Sequence, residues 1–270
     1  MEIMNGGKAL MKALEKEGVK QVFGLPGGAN LPMYDELYKS NIRHILVRHE
    51  QSAAHMADGF GRVSRKPGVC FATSGPGSTN LLTGIATAQA DSAPMVAITG
   101  QVPVKMIGRD AFQESDIIGM SNPCVKYAFQ PRTPEEIPEM VKKGFYIAET
   151  GRPGPVLLDI PKDVQQNESE ITFPEEVRIP GYHPWSSIDI TDIERAINLL
   201  LSSEKPIILA GGGTIISSAF AELQSVAEML MIPVVTTFKG KGSFPENHPL
   251  SLGPIGMHGH AEANKIMTEV

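Results

Sequence analysis

Short, almost wholly apolar runs recur along this chain, alternating with stretches of helical spacing. VKQVFGL, HILVR, GVCFATSG, PMVAITG and PVLLDI read as strands. Runs that lack polar alternation fit strands buried on both faces. Between them, residues 8–17, LPMYDELYK, residues 50–65, Ser78 to Gln89 and residues 134–148 read as helices, the first ending at Gly18. Strand–helix alternation of this kind specifies an α/β fold, a mostly parallel sheet covered by helices. Residues 163–190 are polar, proline-containing and non-periodic, and read as an interdomain linker. A second alternation follows: a helix at 191–203, the strand PIILAGG, a helix at 217–230 and the strand PVVTT. The last twenty residues, from Ser251, show no closing strand, and two strands make a marginal sheet. The second domain is therefore expected to be incomplete.

Of the 270 residues, 41% are hydrophobic and 20% charged, enough apolar material for a packed core. A net charge of −6, with Lys and Arg scattered, argues against a nucleic-acid partner. The two cysteines, Cys70 and Cys124, form no Cys-x-x-Cys pair, so a zinc ribbon and a redox dithiol are unsupported. No stretch approaches the roughly 20 apolar residues that span a bilayer, and the first residues do not form a signal peptide. A soluble, cytoplasmic protein is expected.

Among the chemistry-bearing residues, Glu50 follows HILVR and opens a helix in VRHEQSAAH. On position alone it is a first-turn acid that complements the helix dipole. A His-Glu-x-x-His metalloprotease helix fails because Ala53 stands where the second histidine belongs, and the next is His55. SGPGSTN at 74–80 carries a strand into a Gly-Pro-Gly turn and a helix starting at Ser78 or Thr79. It is either a backbone cradle for a polar ligand or a capped turn. PGGAN at 26–30 leaves the same choice open. LAGGGTIIS at 209–217 falls short of a dinucleotide fingerprint because Ile216 occupies the third glycine position. Neither a P-loop nor a Gly-x-Ser-x-Gly elbow is present. Met4, Met11, Met33 and Met56 fall in apolar patterns and read as core.

The order of the motifs says more than any one of them. GLPGGANLPMYDEL, VRHEQSAAHMADGFGRVSRKPGV, TSGPGSTNLLTGIATAQADSAPMVAITGQVP, GRDAFQESDIIGMS and GRPGPVLLDIPKDV follow one another as in thiamine-diphosphate enzymes of the acetolactate synthase type. AGGG and TTFKGKGSFPENHPLSLGPIGMHGHAEAN continue the likeness. The chain resembles the N-terminal part of such a catalytic subunit. The resemblance implies a pyrimidine-binding domain at 1–165, a linker at 166–188 and the first half of a central domain at 189–270. The diphosphate-binding domain, with its Gly-Asp-Gly segment, is expected to be absent, and the 270 residues alone inactive. Magnesium ligands are expected in that absent domain and none here.

Carried over position by position, Glu50 matches the glutamate that hydrogen-bonds N1′ of the aminopyrimidine and promotes the tautomer that activates the thiazolium carbon. Pro76, Ser78 and Asn80 would lie beside that ring. Gly27, Gly28 and Ala29 would line the substrate end, Val102 and Pro103 the channel mouth, and Phe112 and Gln113 the channel itself. Arg152, Gly211, Gly212, Gly213, Thr236, Met257 and His258 match stretches that contact FAD. The implied reaction decarboxylates pyruvate and condenses it with a second 2-oxo acid, in branched-chain amino-acid biosynthesis. The implied assembly is a homodimer or tetramer with a possible regulatory small subunit. An inactive dimerising fragment, a split-gene subunit, or another pyruvate-using relative such as pyruvate oxidase remain alternatives. Glu50 itself disfavours glyoxylate carboligase, and DAFQE with GMHG favours acetolactate synthase.

Overall fold

The computed structural model describes residues 2–184 and 188–269. It divides into two compact units, Met1–Trp185 and Ser186–Val270.

The first unit is built on a six-stranded sheet of β2 (Gln21–Gly24), β3 (Arg43–Leu46), β4 (Gly68–Ala72), β5 (Met95–Gln101), β6 (Tyr127–Phe129) and β7 (Pro155–Pro161). The strands run parallel in the order β3-β2-β4-β5-β7-β6. Every residue of β4, β5 and β7 is buried. Their side chains alternate between two apolar layers, as strand geometry requires. Val69, Phe71, Val96, Ile98, Val156 and Leu158 pack with α1 (Gly6–Lys16), α2 (Leu31–Tyr38) and α7 (Ile137–Glu149). Cys70, Ala72, Met95, Ala97 and Leu157 pack on the other face. There they meet α3 (Glu50–Ser64), α5 (Leu82–Asp91) and α6 (Ile117–Ser121), with α4 (Pro76–Asn80) leading into α5.

Several elements differ from the sequence reading. β1 (Glu2–Asn5) and β8 (Glu168–Ile171) form a two-stranded antiparallel ribbon, so part of the stretch read as linker is strand. Within that stretch, α8 (Lys162–Gln166) precedes the ribbon, and Phe173, Ile179 and Tyr182 pack against the first unit's core. Residues 185–187 of the expected linker lie outside the described residues. β6 was missed because its three residues are too few to show a period. Met56, read as core, is 44% exposed on α3, while Met4, Met11 and Met33 are buried.

The second unit has a parallel three-stranded sheet, β11 (Ser251–Pro254), β10 (Val234–Thr236) and β9 (Ile208–Ala210), in that order. Its helices are α9 (Ile190–Ser202), α10 (Gly212–Ile216), α11 (Phe220–Leu230) and α12 (Ala261–Ile266). The expectation of only two strands is corrected here: SLGP is β11. Its glycine and proline disguise it. Gly253 has φ +80°, the pairing register shifts between Val234 and Val235, and Pro254 sits on an edge strand, where a missing N–H is tolerated. A small core of Ala210, Ala227, Val234 and Phe244 holds the unit together.

Candidate active site

In the sheet order, β2 lies between β3 and β4, so the chain passes from β2 to β3 on one side and then crosses back to β4 on the other. Such a switch point opens a crevice at the carboxyl ends of the strands. The loops after β2, β3, β4 and β5 meet at that end, and most sequence-derived candidates of the first unit lie on them.

Glu50 is the first residue of α3, capped by the His49 ring nitrogen, which accepts from the Gln51 N–H at 3.1 Å. Its side chain is buried, and Asn80 Nδ2 donates to Glu50 Oε2 at 2.9 Å. The other oxygen faces Gly77: a Cβ built there would lie 3.2 Å from Glu50 Oε1 and 2.7 Å from Thr73 Cγ2. The missing Cβ lets the α4 turn approach Thr73 and the carboxylate closely, leaving there a gap narrower than a methyl group. Tyr34 stands nearby. Burial pushes its phenol well above the usual range, with negative potential from Cys70 and Glu50 adding to the effect. Its hydroxyl lies 3.3 Å from His44 Nε2, and burial lowers the pKa of that imidazole.

The β4 turn is built differently from its sequence reading. α4 starts at Pro76, two residues before the expected cap, with Gly75 at φ +59° as its flanking residue. Proline suits the first helical position, whose N–H has no intrahelical partner. The Ser78 hydroxyl does not cap the helix. It donates to the Gly75 carbonyl at 2.8 Å and lies 3.1 Å from Ser115 Oγ. Asn80, at the far end of α4, is thereby presented to Glu50.

Thr73, which sequence reasoning passed over, joins two loops. Its hydroxyl accepts from the Ala29 N–H at 3.0 Å, and its side chain lies 2.7 Å from a Cβ built at Gly27. Ala29 is buried, Gly27 half-buried and Gly28 exposed. The β5 loop closes from the other side. Val102 is buried, its N–H donating to Gln101 Oε1 at 2.9 Å, and Pro103 is half-buried beside it. Gln113, with φ +57°, lays its carbonyl over Gly75, 2.6 Å from where a Cβ would stand. Phe112, expected to face the channel, is 88% exposed in this structure. Glu114 straps the loop, accepting from the N–H groups of Gly108 and Ala111, and those donors hold its carboxyl below the usual range. Gln101 was also missed. Its amide donates to the Ser115 carbonyl at 3.0 Å and to Asp159 Oδ2 at 2.9 Å, tying the loop to the sheet.

A buried carboxylate approached by glycine turns at a switch point suits a partner carrying a basic or donor nitrogen. Two family descriptions match the chain: thiamine pyrophosphate enzyme, N-terminal TPP binding domain, over residues 4–120, and thiamine pyrophosphate enzyme, central domain, over residues 193–270. The chain belongs to the thiamine pyrophosphate enzymes. Similar relatives include the probable acetolactate synthase large subunit of Methanocaldococcus jannaschii, 58% identical over 98% of this chain and 46% of its own length. The acetolactate synthase large subunit of Corynebacterium glutamicum is 51% identical, with coverage of 97% and 42%. The acetolactate synthase isozyme 3 large subunit of Escherichia coli is 46% identical, with coverage of 99% and 47%. This thiamine pyrophosphate enzyme chain thus spans about half the length of the curated relatives it matches.

In the second unit of this thiamine pyrophosphate enzyme chain, Gly211, Gly212 and Gly213 follow β9, Thr236 ends β10, and Met257 and His258 follow β11. The parallel register pairs Thr236 with both Ala210 and Pro254, so these stretches share one sheet edge. A Cβ at Gly213 would meet no atom within 4 Å, leaving the backbone open to a ligand. Met257 and His258 are exposed. Arg152 belongs to the first unit, and its guanidinium caps the end of α5 by donating to Ser92 Oγ at 2.7 Å and to the carbonyls of Gln89 and Ala90. Among the described residues, no group of three or more His, Cys, Asp or Glu is placed to hold a metal ion. No helix among them is long and apolar enough to cross a membrane.

Proposed function

We propose that residues 1–165 supply the pyrimidine-binding half of a thiamine-diphosphate active site, and that the full-length protein is an acetolactate synthase. The observation that carries this reading is the Glu50 carboxylate, buried at the switch point, with Oε2 held by Asn80 and Oε1 facing the gap at Gly77. Bound thiamine diphosphate supplies the acidic thiazolium carbon and the electron sink for decarboxylating a 2-oxo acid. Glu50, whose buried side chain is shielded from water, would hold or release a proton at the aminopyrimidine ring nitrogen. Thr73, Gly27 and Ala29 fix the turn on one side of the site, and Ser78, Ser115 and Gln113 fix the other. The relatives' names support acetolactate as product, and the proposed first substrate is pyruvate, with a second pyruvate or 2-oxobutyrate as acceptor.

The finer features belong to the same proposal. The glycine run 211–213, open at Gly213, with Thr236, Met257 and His258, is suited to a dinucleotide such as FAD. Magnesium would be held by residues other than those described. Relatives named as large subunits support a regulatory small-subunit partner. We further propose a homodimer or tetramer located in the cytoplasm.

The test is acetolactate formation by the full-length protein with pyruvate, thiamine diphosphate and magnesium, alongside Glu50→Gln. We expect acetolactate from the native protein and a loss of about 10²–10⁴-fold in the variant, the range for a positioned acid–base group. Near-native turnover by the variant removes Glu50 from its role. Acetyl phosphate as product in a parallel assay with added phosphate and oxygen would reassign the protein to the pyruvate oxidase type.

A further inference from the structure

Glu50 has two oxygens in different surroundings. Oε2 receives the Asn80 amide N–H at 2.9 Å, and Oε1 borders the space left by the absent side chain of Gly77. An amide nitrogen can only donate, so a proton on Oε2 would point at another N–H and lose that bond. With the Asn80 amide in this orientation Oε2 is the acceptor, and protonation of the carboxyl is directed to Oε1. The same bond fixes the plane of the carboxyl group, which would otherwise turn about its last torsion, a soft and roughly two-fold one. The position of Asn80 is set in turn by its place at the end of α4. Gly75 flanks the start of that helix, and the Ser78 hydroxyl ties the helix to the Gly75 carbonyl and to Ser115.

We propose that Asn80 is the positioning residue for Glu50: it holds Oε2 as an acceptor and so directs proton exchange with the cofactor ring onto Oε1. This rests on the reading of Glu50 as the group that meets the aminopyrimidine, and it goes beyond a pocket-lining role for Asn80. A lining residue would alter cofactor affinity. A positioning residue alters the rate at which bound cofactor is activated and the pH dependence of that rate.

The experiment uses the full-length protein loaded with thiamine diphosphate. It measures hydrogen–deuterium exchange at the cofactor C2 position by acid quench and proton NMR, for the native protein, Asn80→Ala, Asn80→Asp and Glu50→Gln. We expect Asn80→Ala to slow exchange at least tenfold, with pyruvate KM changed less than kcat. Asn80→Asp places a second carboxylate against Oε2 at neutral pH. Once protonated it becomes a donor again, so its exchange rate relative to native protein should recover as pH falls, whereas Asn80→Ala should show no such recovery. The Asn80→Asp profile is internally controlled within one folded sample, so it decides the matter if Asn80→Ala does not fold. Exchange within twofold of native in Asn80→Ala, or an Asn80→Asp ratio that is flat with pH, overturns the proposal while a slowed Glu50→Gln leaves the Glu50 reading standing. Native exchange in Glu50→Gln overturns both.

Discussion

Gly77 is the position where a single methyl group would do most to the site, because its Cβ would press on Thr73 Cγ2 at 2.7 Å and approach Glu50 Oε1 at 3.2 Å. Neither neighbour moves cheaply: Thr73 is held through its hydroxyl to Ala29, and Glu50 through Asn80. Gly77→Ala is therefore expected to weaken thiamine-diphosphate binding by the full-length protein about tenfold, or about 1.4 kcal/mol. Thr73→Ser, which removes Cγ2 and keeps the hydroxyl, should restore part of the loss in the double variant. Titration calorimetry checks both, and unchanged affinity in Gly77→Ala would show that the gap is not where the cofactor ring sits. At this scale the sequence was legible only through motif order. Glu50, Ser78 and Asn80 were found because they stand in a recognisable succession. Thr73, Gln101 and Ser115 were not, because polar residues at strand ends look like ordinary turn residues until their partners in distant loops are known.

Among the elements, α3 and α5 show how helix packing sets the site. α3 presents Ala53, Ala54 and Ala57 to the core, and Gly84 of α5 lies so close that a Cβ there would come within 2.4 Å of Ala54 Cβ. Gly84→Ala gains helix propensity of up to about 1 kcal/mol, but overpacking a tight contact costs about 1–3 kcal/mol. The contact also includes Ala54 backbone at 3.0 Å, which cannot rotate away, so net destabilisation of about 1–2 kcal/mol is expected in urea unfolding. Ala54→Gly in the same chain should recover part of it, and a stabilised Gly84→Ala would mean that the helices separate freely. Because Glu50 opens α3, the single variant should also lower activity of the full-length protein. The long, mostly apolar strands β4, β5 and β7 were readable from their runs of apolar residues. β6 and β11 were not, being short and broken by glycine or proline, and β1 and β8 form a ribbon whose pairing joins opposite ends of the first unit. The helix after β4 was placed two residues late because Ser78 was read as a cap, when its hydroxyl serves the turn instead.

At the scale of the whole molecule, strand order was the property that the local pattern could not supply. Alternation indicated a parallel sheet, but which strands are neighbours depends on packing across both faces, and only that order places the switch point at β2 and β4. The same sheet carries a titrating group within its core. Asp159, on β7, is fully buried and accepts from Thr99 Oγ1 at 2.6 Å, Gln101 Nε2 at 2.9 Å and Gln130 Nε2 at 2.8 Å. Burial outweighs these donors and pushes its carboxyl from 3.8 up to about 6, with Asp116 adding to the rise. Below about 4 the carboxyl is protonated in both folded and unfolded chains. Between about 4 and 6 the folded protein retains a proton that the unfolded chain has released, so stability falls as pH rises and reaches its lower plateau above about 6. A displacement of this size corresponds to about 3 kcal/mol as an upper bound. Asp159→Asn should remove this slope. Its carbonyl can accept from Gln101 and Gln130 while its amide donates to the Thr99 hydroxyl, so the network survives without the charge. Urea unfolding of the 270-residue chain at pH 4 and pH 7 should give near-equal stabilities for the two proteins at the lower pH. At the higher pH the variant should be more stable by at least about 1 kcal/mol, a third of that bound. A difference between the two proteins that is the same at both pH values would show that Asp159 is ionised throughout, and that the three donors, rather than burial, set its charge.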